Sequence, residues 1–302
     1  MSKSRFVQRP AILPAVKRRS IAIVGAGRLG TVLALQLHRP GYQIAEIVAR
    51  NNRRSLSAAR KLARKVGAKV STRGQPRLDA NLVWFCVPDA EIAKAASQLS
   101  ERDWKGKTVF HSSGVLTSDV LDRLREKGAQ VASVHPLMTF VQGAMPDLAG
   151  VTFALEGDAP AMQLARRVVR DLKGEVIQLR VRDKVAYHAF ATMICPLLVS
   201  FLMNAEQIAA RAGIPRVQAR RRMLPIIQQT LTNYANLGPA NAFSGPIVRG
   251  DVGTIRQHLE VLSTFPVARN VYVVLAHAAL EALPSDRKKE ISDLLRKVSL
   301  SN

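Results

Sequence analysis

Hydrophobic positions along this chain fall into two regimes. From residue 20 to about 181, short apolar runs alternate with stretches of helical period; beyond 182 only the helical period remains. Ile21–Val24 is an unbroken apolar run, the mark of a strand covered on both faces. Further strands are predicted at 43–49, 82–87, 108–111, 130–134, 151–155 and 175–179. Between them, helices are predicted at 31–37, 55–66, 90–99, 119–127 and 160–172, with Asp89 and Ser118 as caps. Strands alternating with helices of this length imply an α/β fold with a parallel, doubly wound sheet. The later part reads as all-α, with helices at 183–211, 216–236, 252–264, 267–282 and 286–297.

The turn after the first strand carries Gly25, Gly27 and Gly30, with Arg28 and Leu29 between the last two. Strand, glycine turn and helix in this order give the G-x-G-x-x-G spacing its meaning. The first glycine permits a tight turn, the second lets a pyrophosphate approach the backbone, and the third lets the helix pack on the strand. The helix start then offers free N–H groups and a positive dipole end to the phosphates. Residues 20–181 are therefore expected to form a dinucleotide-binding Rossmann domain, and 182–302 a helical domain for substrate binding and dimerisation.

The end of the second strand separates the two nicotinamide cofactors. An NAD site places a carboxylate there for the ribose hydroxyls. This chain instead has Arg50, Asn51, Arg53, Arg54 and Ser55, and its nearest acid, Glu46, sits inside the strand. Guanidiniums can hold a 2′-phosphate through paired hydrogen bonds, so NADP(H) is the expected cofactor.

Composition narrows the partners. A net charge of +23 attracts phosphorylated cofactors and acidic substrates. Only 5% of residues are aromatic and none interleave with the basic runs, which argues against specific nucleic-acid binding. The most apolar stretch, Ala189–Met203, is short for a membrane span and contains Pro196. Cys86 and Cys195 have no metal-ligand spacing and read as buried thiols of a cytoplasmic protein. No metal is expected. Residues 1–19 are basic without an acid, read as a flexible arm, with an organelle-targeting peptide as the alternative.

Ligands of open α/β sheets bind beyond the carboxyl ends of the strands. Val87, Pro88 and Asp89 follow one strand and are expected beside the cofactor. His111, Ser112, Ser113 and Gly114 follow the next, and His135 closes another. Ser112 is assigned to the cofactor side, Ser113 and Gly114 to substrate. Lys184 and His188, four residues apart, share one helix face. A lysine near a reacting carbonyl can give a proton or neutralise oxyanion charge. In the late loop, Arg249 could fork onto a substrate carboxylate, Asp251 suits a helix N-cap, and His258 lies further into that helix.

Taken in order, Gly25–Gly30, Val87–Asp89, His111–Gly114, Ser133–Phe140, Lys184–His188 and Gly245–Asp251 resemble the Rossmann-like/DUF2520 family. The resemblance implies a helical domain similar to those of 6-phosphogluconate dehydrogenase, pyrroline-5-carboxylate reductase and ketopantoate reductase, with the reaction in the interdomain cleft and helical domains that dimerise. It implies reduction of a small, ketopantoate-like 2-oxo acid by NADPH, with Lys184 as proton donor, His188 or His135 placing the oxygen and Arg249 on the carboxylate. Reduction of a cyclic imine, and a non-catalytic NADP-binding sensor, are the alternatives. One motif departs: where the family pattern carries an Asn after Tyr-His, this chain has Cys195-Pro196, and Pro196 is expected to kink the helix. Asn204 does not replace it, since at ~100° per residue it points away from Lys184.

Overall fold

The computed structural model describes residues 20–299; the basic arm expected at 1–19 lies outside them. The chain divides into two compact units, the first running to Ala191 and the second from Thr192.

The first unit is built on eight strands: β1 (Ser20–Val24), β2 (Gln43–Ala49), β3 (Lys69–Thr72), β4 (Leu82–Phe85), β5 (Thr108–His111), β6 (Gln130–Pro136), β7 (Thr152–Gly157) and β8 (Glu175–Gln178). They lie in the order β3-β2-β1-β4-β5-β6-β7-β8. Helices α1 (Arg28–His38), α2 (Arg53–Val66), α3 (Asp89–Leu99), α4 (Asp122–Arg125) and α5 (Ala159–Asp171) connect them. Side chains alternate across a strand, so β1 feeds two cores. Ile21 and Ile23 pack with Leu33 of α1, Leu62 of α2 and Val168 of α5. Ala22 and Val24 pack on the other side with Ile92 of α3 and Leu124 of α4. This is the doubly wound sheet that the apolar runs imply.

The structure corrects several details. Lys69–Thr72 forms an edge strand beside β2; a short polar segment gives no apolar run to detect. β7 runs antiparallel to β6. No helix is interposed over 137–151, so the chain returns beside β6 reversed instead of crossing over. Asp89 is the first residue of α3 instead of its cap, which is Pro88, and the Asp89 carboxylate accepts from Ser113. Ser118 opens a 3₁₀ turn instead of capping a helix, and gives its N–H and hydroxyl to Glu156.

A further helix, α6 (Lys184–Thr192), closes the first unit. The turn that follows, Met193–Leu197, is a π turn containing Pro196. Widening the turn absorbs the proline, which cannot donate to Thr192. Val181–Arg211 is consequently one helical stretch of 31 residues, by length and composition apolar enough to cross a membrane, where the sequence suggested an interrupted run. Cys86 is buried, but Cys195 is only partly so.

The second unit contains α7 (Leu198–Arg211), α8 (Arg216–Arg222), α9 (Leu224–Ala242), α10 (Val252–Leu262), α11 (Pro266–Ala282) and α12 (Lys288–Ser299). The single helix expected over 216–236 is two, because Pro225 starts a new one at its favoured first-turn position. Ile255, Leu259, Val273, Leu280, Ile291 and Leu295 form this unit's core. Many of its other apolar side chains, among them Val199, Phe201, Leu231 and Leu237, are exposed.

The glycine turn is the tightest point of the sheet unit. A Cβ on Gly30 would lie 2.0 Å from the Gly25 carbonyl oxygen, whereas one on Gly27 would meet nothing closer than Cys86 O at 3.9 Å. Gly30→Ala should therefore destabilise the fold by about 1–3 kcal/mol, the usual cost of overpacking. Gly27→Ala, a change only at the N-cap, should cost under about 1 kcal/mol. Urea unfolding of the two variants checks the order.

Candidate functional site

The order of the strands reverses between β1 and β4, which leaves a crevice beyond their carboxyl ends. Gly25 N–H donates to Val48 O at 2.9 Å and Cys86 N–H to Val24 O at 2.8 Å, fixing the three strand ends together. A groove of about 790 Å³ opens there, lined by Gly25, Gly27, Arg28, Arg50, Arg54, Ser55, Val87 and Pro88. These expected cofactor residues are thus brought together. The bare Gly27 backbone at the start of α1 is the kind of cradle a pyrophosphate needs. Burial pushes the Cys86 thiol up, so the floor of the groove stays uncharged.

Other expected residues do different work. Leu29 packs on the core and Gly30 against the β1 turn. Arg53 begins α2 as an exposed residue outside the groove lining, and Asn51 borders a smaller adjoining hollow of about 250 Å³. The Ser112 hydroxyl accepts from Trp84 Nε1 at 2.8 Å. Glu46 is buried and accepts from Ser71, from Arg77 N–H at 2.9 Å and from Leu78 N–H at 2.8 Å, so its carboxylate is spent on the loop after β3.

Sequence reading missed two contributors to the groove. One is the 141–145 segment, an irregular loop without a pattern to flag it. The other is Arg73, which follows the unrecognised β3. Its guanidinium donates from Nη1 to Glu91 at 3.1 Å and to Gln98 at 3.5 Å, both on α3.

Beyond the groove, a polar cluster sits at the ends of β5 and β6. Register sets it: His111 lies opposite Ser133, and Ser133 opposite Glu156. Lys184 reaches into this row. Its Nζ donates to Ser133 Oγ at 2.5 Å and to Ser113 O at 3.4 Å, and pairs with Glu156 at 3.4 Å. Lys184 is only 2% exposed, and Glu156 3%. Burial lowers the lysine's pKa, with Glu156 opposing the fall. Ser113 is tied from the other side, its hydroxyl donating to Asp89 at 2.7 Å and accepting from Leu116 N–H at 2.9 Å.

His111 and His135 are neutral. Burial, reinforced by the Lys184 charge, brings His111 down to about 3. Its Nδ1 accepts from Ser113 N–H, so Nε2 carries the hydrogen and donates to Thr117 O at 3.1 Å. His135 comes down to about 4 through burial, then Lys184 and His188. Its Nδ1 lies 2.9 Å from the Tyr187 hydroxyl, a phenol that burial pushes up to about 12 and keeps as a donor. Donation to Nδ1 leaves the His135 hydrogen on Nε2. Gly114 is enclosed by that Nε2 and by the His188 ring, 3.0 and 2.7 Å from where a Cβ would stand. Tyr187 was not singled out from sequence, since one tyrosine between Lys184 and His188 carries no spacing signal.

Arg249 and His258 belong to the second unit. Arg249 pairs with Asp251 at 2.8 Å, and that carboxylate makes no side-chain cap bond to α10. His258 Nδ1 lies 3.2 Å from the Tyr272 hydroxyl. Asn204 returns its amide to Ser200 O at 2.8 Å. No metal-binding group of His, Cys, Asp or Glu occurs among the described residues.

This is a nucleotide-type α/β sheet with a charged cluster at its carboxyl edge. Residues 10–136 match the family profile of a Rossmann-like domain, and 151–279 that of a domain of unknown function, DUF2520. The two matches follow one another along the chain, a Rossmann-like region first and a DUF2520 region after it. No curated protein matches it. Among solved structures it is similar to a Bacteroides fragilis protein assigned as an NADP oxidoreductase (23% identity, TM-score 0.72, 86% of this chain and 97% of that one). It also resembles an imine reductase from Pseudomonas sp. (19%, 0.63, 88% and 95%). A third is a pyrroline-5-carboxylate reductase from Coxiella burnetii (16%, 0.57, 90% and 97%). At these identities the likeness is one of fold.

Two measurements test the cluster. Lys184→Met strands the buried Glu156 carboxylate and should cost about 3–5 kcal/mol of stability; Lys184→Met/Glu156→Gln should recover most of it in urea unfolding. Separately, an unfolded histidine gains its proton near pH 6.5, whereas folded His111 and His135 do so only at about 3 and 4. The unfolded state binds more protons in between. Stability is therefore full above about pH 6.5 and falls as pH drops toward 4, by up to about 1.4 kcal/mol per pH unit for each histidine. Unfolding free energies across that range should show a shallower slope for His111→Asn.

Proposed function

We propose that the chain is an NADPH-dependent reductase of small molecules carrying a C=N bond. The observation that carries this reading is the single groove that joins an open glycine cradle to the arginines at the end of β2. The cradle would hold the pyrophosphate, and Arg50, Arg54 and Ser55 the 2′-phosphate. NADPH, when bound, supplies a hydride equivalent. The named activities of the Pseudomonas and Coxiella proteins and the NADP assignment of the Bacteroides protein support the same class.

The surroundings of Lys184 support the choice of substrate. Its ammonium has three N–H bonds and three inward partners, Ser133, Ser113 and Glu156. It is a poor source of a further proton, and a C=N substrate that arrives protonated needs none. Lys184 then acts by holding Ser133 and the Ser113 carbonyl in place and by adding to the burial that keeps His135 neutral. The His135 Nε2–H beside Gly114 is suited to orient the substrate by hydrogen bonding.

A ketopantoate-like 2-oxo acid is the second reading. The lowered pKa of Lys184 favours it, since a weakened hold on the proton makes the ammonium a better donor to a developing alkoxide. In either case we take the enzyme to be cytoplasmic, to bind no specific nucleic acid, and to pair with a second copy of itself. The exposed apolar helical residues support that pairing.

Following NADPH absorbance with a panel of cyclic imines, amine–ketone mixtures and 2-oxo acids tests the proposal. Turnover should appear with the imines and persist in Lys184→Arg within roughly tenfold, one decade being about 1.4 kcal/mol of barrier. Turnover confined to 2-oxo acids, and abolished in Lys184→Arg, would favour the second reading. NADPH binding without turnover of any substrate would point to a sensor.

A further inference from the structure

Among the described residues of the groove lining, Arg73 is the basic group that comes neither from the glycine turn nor from the Arg50–Ser55 segment that follows β2. It is 7% exposed, and its Nε is buried without a hydrogen-bond partner. Its hydrogen bonds to described residues all leave from Nη1, so a guanidinium with five N–H bonds uses only one nitrogen. Burying such a group half-satisfied costs free energy, and a rigid site does so where a ligand completes the bonding.

The surroundings hold Arg73 in place. Its backbone N–H donates to the carbonyl of Ala49, the last residue of β2, at 3.0 Å. Glu46 fixes the loop that follows through Arg77 and Leu78. Arg73 and Arg50 line both the main groove and the smaller hollow, where Lys94 and Glu91 also stand. Arg73, Lys94 and Arg50 together hold the Glu91 carboxyl below the usual range, as three nearby cations must. Glu91 thus brings a carboxylate from α3 into the hollow that Arg50 and Asn51 also line, where it is paired with Arg73.

We propose that the Arg73–Glu91 pair sets the cofactor preference of this chain: Arg73 binds the 2′-phosphate of the adenosine ribose, while its neutralisation of Glu91 removes a carboxylate that would otherwise repel that phosphate. The proposal rests on the NADPH reading above and deepens it. Arg73 carries the fork geometry that a phosphate takes in pairs of bonds, and lies already desolvated. Losing it removes an attraction and exposes a repulsion at once. A ribose hydroxyl, in contrast, can use the freed Glu91 as an acceptor.

Calorimetric titration of the full chain with NADPH and NADH tests this by binding alone. Arg73→Met should weaken NADPH roughly 10- to 100-fold, the worth of a charge-assisted hydrogen bond or two, while NADH affinity holds or rises. Glu91→Gln should tighten NADPH severalfold. Arg73→Lys keeps the charge against Glu91 but lacks the fork, and should fall between wild type and Arg73→Met; it also decides the matter if Arg73→Met fails to fold. NADPH binding that is unchanged in Arg73→Lys and Arg73→Met, or an equal loss of NADPH and NADH, would overturn the role of Arg73 while leaving the NADPH reading intact. A wild type that binds neither dinucleotide would overturn both.

Discussion

The contact between Gly30 and the Gly25 carbonyl governs the sheet unit. Only a hydrogen can stand where α1 meets the turn after β1. That approach seats the first turn of α1 at the carboxyl end of the sheet, with its unsatisfied N–H groups facing the groove. Everything proposed for the phosphates depends on it. The same turn is bonded to β2 and meets β4 through Cys86, so one close contact aligns three strand ends.

A second constraint is electrostatic. The sheet carries a polar row across β5, β6 and β7, and a fully buried ammonium completes it. The arrangement is stable because each charged atom has a partner, and it fixes the protonation of its neighbours. Burial, with the Lys184 charge adding to it, keeps His111 and His135 neutral, and a neutral imidazole can donate one hydrogen bond and accept another. The site is thus built to orient a polar group instead of to exchange protons freely. On that ground we propose a substrate that brings its own proton over one that needs an acid.

At the opposite end of the groove the charges are arranged differently. Arginines from the residue after β2, from the helix that follows and from the loop after β3 converge, and the nearby acids are consumed. Glu46 braces a loop, and Glu91 is paired. The high positive charge of the chain therefore has a local expression there: a cationic end whose nearby carboxylates are engaged within the protein.

The sequence by itself determined the two regimes of the chain, most strands of the doubly wound sheet, the glycine turn and the basic end of β2. Each is written in neighbouring residues, as period, glycine spacing or local charge. It also pointed to Lys184 and His135, though not to what they touch. Edge strand β3 escaped because its four residues include one aliphatic side chain, Val70, and leave no apolar run, and with it went Arg73. The pairing of Arg73 with Glu91, of Lys184 with Glu156 and Ser133, and of His135 with Tyr187 was decided only by the tertiary structure. Those partners lie 18 to 52 residues apart. Strand register and crossover direction, which no local pattern encodes, are what bring them within bonding distance.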